Sequence, residues 1–93
     1  MSDCIDFDHE TWEEYAAHIA AKGYQIKASK NKELLISPSD PSDPNWSFPG
    51  SQLRIVLGEA TTGYRYRWVR SYAATRKAER PLNLYDVASF LVQ

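Results

Sequence analysis

Residues 52–72, "QLRIVLGEATTGYRYRWVRSY", decide how the fold is read. Leu53, Ile55 and Leu57 alternate with Arg54 and Val56. Tyr64, Tyr66 and Trp68 alternate with Arg65, Arg67 and Val69. A period of two places successive side chains on opposite faces of a strand. The stretch therefore predicts a hairpin joined through Gly58–Gly63, with glycine at each end of the connection. Pairing Leu57 with Tyr64, Ile55 with Tyr66 and Leu53 with Trp68 puts six large apolar side chains on one face. A slip of one residue would set arginines against leucines. In this register the rings line the core, and Arg54, Arg65, Arg67 and Val56 share the other face. That counts against a base-stacking platform, which needs rings and cations on one surface.

The preceding segments add a helix and a second hairpin. In "FDHETWEEYAAHIAAKG", Trp12, Tyr15, Ala16 and Ile19 fall at i, i+3, i+4 and i+7, which predicts a helix over residues 9–22. Asp8 is its N-cap, Phe7 and Trp12 form a hydrophobic staple, and Gly23 supplies the left-handed residue that ends it. Residues 1–7 are read as a flexible terminus. "YQIKASKNKELLIS" predicts a hairpin turning at Lys30–Lys32, with Ile36 opposite Ile26 and Leu34 opposite Ala28. Residues 37–50 carry Pro38, Pro41, Pro44 and Pro49, which remove ladder donors and predict a long loop. Trp46 and Phe48 in this loop either tuck onto the sheet or stand out as a binding surface, and tucking is preferred because two exposed rings are a solubility liability.

After the second hairpin, "AATRKAERP" lacks an apolar stripe and is read as a basic connector. "LNLYDVASFLVQ" predicts a helix capped by Asn83, with Asp86 in its first turn and Leu84, Val87, Ala88 and Leu91 facing inward. The expected architecture is a single α+β domain spanning residues 1–93, in the order α-β-β-β-β-α. Two hairpins form a four-stranded antiparallel sheet, two helices pack on one face, and the other face is left open.

The 93 residues suit one domain with a modest core. No apolar run is long enough to span a membrane. "MSDCIDFDHE" lacks the basic and apolar regions of a signal peptide, and Cys4 is the only cysteine, so a cytoplasmic location is expected. Charge is unevenly spread. Residues 1–50 hold nine acids and four bases, residues 51–93 three acids and seven bases, or −5 and +4 against a total of −1. Such asymmetry marks a polar partner surface, or two halves that neutralise each other on folding.

Catalytic chemistry is not legible. Glu10, Glu14 and His18 line one helix face at spacings of four, but no further histidine or cysteine joins them locally, so a solvated stripe is the expectation. "GEATTG" has the outline of a phosphate loop, yet Tyr64 and Arg65 stand where Lys and Ser/Thr should follow. No nucleophile–base pair can be argued. No cofactor and no metal are expected. The functional signal lies in Arg54, Arg65, Arg67, Arg70, Arg76, Lys77 and Arg80, with Trp46 and Phe48 as a second candidate surface. Arginine is the better fork for carboxylate or phosphate. The expectation is a non-enzymatic domain that binds a protein with an acidic surface, as an adaptor or an inhibitor of the kind small phage and mobile-element accessory proteins provide. A nucleic-acid module using the arginine face is the alternative. Monomer and homodimer through a free strand edge are both compatible with the sequence.

Overall fold

A computed structural model describes residues 4–59 and 63–93. It is a single α+β domain of two helices and an antiparallel sheet. The elements are β1 (Ile5–Asp8), α1 (His9–Ala21), β2 (Tyr24–Ser29), β3 (Glu33–Pro38), β4 (Gln52–Gly58), β5 (Tyr64–Ala74), β6 (Glu79–Leu82) and α2 (Leu84–Val92). The strands run β1-β5-β4-β3-β2, and β6 also pairs with β5.

The local signals operate as the sequence predicts. The Thr11 N–H donates to the Asp8 carboxylate at 2.7 Å, and α1 ends at Gly23 with φ +83°. Phe7 meets Trp12 edge-on at 6.0 Å. Asn83 Oδ1 accepts from the N–H groups of Tyr85 and Asp86, capping α2. The first hairpin has the expected register, Ile26 opposite Ile36 and Ala28 opposite Leu34. Inward residues of the sheet (Leu34, Ile36, Leu53, Ile55, Trp68) join Trp12, Tyr15 and Ile19 of α1 and Leu84, Val87 and Leu91 of α2 in one core.

Three expectations fail. First, the sheet has six strands, not four. All of β1 but Asp8 lies within the segment read as flexible, yet Ile5 pairs with Trp68 and Phe7 with Tyr66, and Phe7 is buried. Second, the basic connector contains β6, whose Glu79–Leu82 pair with Ala74–Ser71 of β5. Pro81 is tolerated because β6 is an edge strand. Third, the register of β4 against β5 differs. Leu57 pairs with Trp68, not Tyr64; Ile55 pairs with Ser71 and Leu53 with Ala73. The last β4–β5 pair is Gly58 with Arg67, so the ladder closes three residues later on β5 than expected, and residues 60–62 of the connection lie outside the described residues.

A bulge explains the last difference. Leu57 faces Trp68 while Val56 faces Arg70, so Val69 is the extra residue. An extra residue inverts the alternation beyond it. Trp68 and Ser71 therefore both point inward, and the side chains between them do not. Tyr64–Arg67 run past most of β4 and take β1 as partner. Trp68 is fully buried and Tyr66 half-buried, but Tyr64 is 44% exposed and is not a core residue.

Candidate functional site

Both helices bury their stripes in one core, so the opposite face of the sheet is left uncovered by any element among the described residues. Pairwise registers define a row straight across it: Lys27, Leu35, Arg54, Tyr72, Pro81, one residue each from β2, β3, β4, β5 and β6. The adjacent row is Ser29, Glu33, Val56 and Arg70. Leu35, Val56, Val69 and Tyr72 remain only half-buried there. The surface mixes apolar side chains with guanidinium groups.

Arg54 is the fixed centre of this face. Its Nε and Nη2 donate to Glu79 Oε1 and Oε2 at 2.7 and 2.5 Å, and Nη1 donates to Glu33 Oε1 at 2.6 Å. Its guanidinium lies 4.6 Å from the Tyr72 ring centre. A two-pronged carboxylate contact plus ring stacking leaves the side chain little freedom. Hydrogen bonding from Arg54 holds the Glu79 carboxyl below its ordinary range. Arg67 repeats the motif at the β1 edge, with Nε and Nη2 on Asp6 Oδ1 and Oδ2 at 2.6 and 3.1 Å. The Arg67 hydrogen bond likewise lowers the Asp6 carboxyl.

The three arginines expected to share a compact free patch are thus separated and paired. Arg65 is the extra residue of a second bulge, opposite Phe7 and Asp8, and its Nη1 reaches Glu13 of α1 at 2.6 Å. Three of the four ion pairs among the described residues (Glu33–Arg54, Glu13–Arg65, Asp6–Arg67) join the acidic first half of the chain to the basic second half. Charge asymmetry along the sequence is therefore largely cancelled on folding. Arg70, Arg76, Lys77 and Arg80 are the basic side chains of the second half with no such partner among the described residues. All four are exposed. Arg70 lies on the uncovered face, whereas Arg76 and Lys77 stand in the connection from β5 to β6.

Trp46 and Phe48 fold back against the core, on the side of the molecule that holds α2. Trp46 meets Tyr24 at 5.4 Å and Phe48 at 5.5 Å, and Phe48 meets Phe90 at 4.7 Å. The Trp46 indole N–H donates to Gly50 O at 2.9 Å. Lys22 Nζ donates to the Phe90 carbonyl at 3.0 Å and lies 5.6 Å from its ring centre. These rings pin the proline-rich loop between β2 and α2.

Sequence reasoning placed Val56 and Val69 outward without counting them as site residues, and it missed Leu35 and Tyr72. Leu35 and Val56 sit at outward positions of strands whose neighbours are apolar, a departure from alternation that was visible. Tyr72 lies beyond the bulge, where alternation from Tyr64 assigns the wrong face. Sequence reasoning also missed a cleft of about 570 Å³ on the β5 edge, between the ends of β1 and β6, with Arg67, Arg70, Tyr72, Asn83 and Tyr85 in its lining. Comparison with protein-family models, with curated proteins and with solved structures finds no match for this chain.

Proposed function

We propose that this domain is a non-enzymatic binding module whose uncovered sheet face docks a protein with an acidic surface. One observation carries the reading: apolar side chains lie half-buried on a face that no element among the described residues covers, around an arginine already held in place by two glutamates and a ring. A rigid, partly desolvated arginine loses little freedom on binding. The unpartnered cations beside it favour an acidic partner. Adaptor or inhibitor is the role that suits such a module, in a cytoplasmic setting consistent with a single cysteine. No helix among the described residues is long and apolar enough to cross a membrane.

The test is affinity capture from cell extract with the wild-type chain and with the double variant Leu35→Glu/Val56→Glu. The captured protein is then purified and titrated against both chains. Binding by the wild type with at least a tenfold loss in the double variant supports the reading. Duplex and single-stranded DNA and RNA are titrated in parallel over a salt series. Micromolar nucleic-acid binding with a steep salt slope, lost in Arg70→Ala/Arg76→Ala, would replace it with the nucleic-acid reading.

A further inference from the structure

The cleft on the β5 edge has a chemistry of its own. β1 pairs with β5 only as far as Trp68, and β6 pairs with β5 only from Ser71 onward. Val69 and Arg70 between them face neither strand. The gap reaches the uncovered face, since Arg70 and Tyr72 of its lining stand in register with Val56 and Arg54 there. Its walls include two aromatic rings. Tyr72 is backed by Arg54, and Tyr85 is 53% exposed with its hydroxyl donating to the Cys4 carbonyl at 3.4 Å. The α2 N-terminus at the rim is already capped by Asn83, so its amides are not the attraction.

On this face Arg54 and Arg67 each hold a carboxylate in a two-pronged grip. Arg70 presents the same fork with no carboxylate among the described residues. We infer that the cleft receives one Asp or Glu side chain of an acidic protein segment, gripped by Arg70 and flanked by Tyr72 and Tyr85. This rests on the sheet face being a protein-docking surface and names the residue that anchors the docked chain. A carboxylate is the matching occupant because its two coplanar oxygens fit the guanidinium fork, as they do twice on the same face. Burial against two rings strengthens such a contact relative to open water.

The probe is a capped Gly-Glu-Gly-Glu-Gly peptide, with the Gln analogue and inorganic phosphate as controls at matched ionic strength. It is titrated into the ¹⁵N-labelled full chain while the arginine Nε–Hε signals are followed. The expected result is a saturable shift of the Arg70 signal and of the Asn83–Tyr85 amides with the Glu peptide and not with the Gln analogue. Arg70→Gln weakens that binding at least tenfold, and Arg76→Gln/Lys77→Gln changes it less than twofold. Absence of a saturable shift at the cleft, an Arg70→Gln effect under twofold, or equal shifts from phosphate at the same concentration overturns the inference. The two readings fail separately. If Leu35→Glu/Val56→Glu abolishes capture of the protein partner while Arg70→Gln leaves it intact, the cleft assignment is wrong and the docking face stands. If neither variant affects capture, the docking face itself is wrong.

Discussion

Truncating Trp68 tests the core and the register together. Its side chain is fully buried among Phe7, Tyr15 and Trp12, at ring-centre distances of 4.7, 5.3 and 6.1 Å. A domain of this length is stable by roughly 5–14 kcal/mol. Trp68→Ala removes about 3–5 kcal/mol, by lost transfer energy and by the cavity left behind. That is a fall in Tm on the order of 20 °C, at about 4–8 °C per kcal/mol. Trp68→Phe behaves differently, because the indole Nε1–H is buried with no acceptor among the described residues. Phenyl is smaller by roughly 40 Å³, so the cavity and the lost transfer energy together cost about 2 kcal/mol. Removing an unsatisfied buried donor returns about 1–3 kcal/mol. The two effects nearly cancel, and Trp68→Phe is expected within about 1 kcal/mol of wild type. Urea unfolding followed by far-UV circular dichroism reads both variants, with unchanged m-values as the control for an intact fold. A Trp68→Phe cost equal to that of Trp68→Ala would refute the reasoning, since it would require a satisfied indole N–H. A neutral Trp68→Ala would refute the burial itself.

Other outcomes follow from single contacts. Gly50 has φ +79°, and a Cβ there would sit 1.9 Å from the Ala74 carbonyl oxygen, so Gly50→Ala combines backbone strain with overpacking. The expected loss is about 2–4 kcal/mol in chemical denaturation. Asp6 and Glu79 have carboxyl groups lowered by their arginines, so their contribution is complete above the ordinary carboxylate range and is lost as pH falls through the depressed folded values. Asp6→Asn/Glu79→Gln should flatten the acid limb of a Tm–pH profile between about pH 5 and pH 2. Tyr15 donates to the Ala88 carbonyl at 2.6 Å, joining α1 to α2, and burial raises its hydroxyl well above the ordinary tyrosine value. A raised folded value makes stability complete below the unfolded value and progressively lost above it. Tyr15→Phe is expected to cost about 1–2 kcal/mol at neutral pH while reducing the loss seen above about pH 10.

Capping and periodicity act over a few residues, and where no bulge interrupts a strand what depends on them was legible. Asp8, Gly23 and Asn83 set the helix ends, and alternation set the first hairpin. The inward assignment of Leu53, Ile55 and Trp68 also survives, although their partners change. Pairing along β5 was not legible, because three strands compete for one long strand. Tyr64–Trp68 take β1 as a neighbour, with only Arg67 and Trp68 also paired to β4, and the bulge at Val69 inverts the faces beyond it. Neither "IDFD" nor "ERPL" carries enough periodicity in four residues to announce a strand; each is a strand because β5 offers it an edge.

The candidate surface divides in the same way. By itself the sequence determined that Arg54 and Arg67 point away from the core, since that follows from parity on a strand. Only the tertiary structure decided which arginines are spent on internal carboxylates and which have no carboxylate among the described residues. Glu33, Glu13 and Asp6 lie 21, 52 and 61 residues from the arginines they bind. Such separations are bridged by the sheet's register, and two one-residue bulges are enough to give Arg65 to the helix and leave Arg70 on the open face.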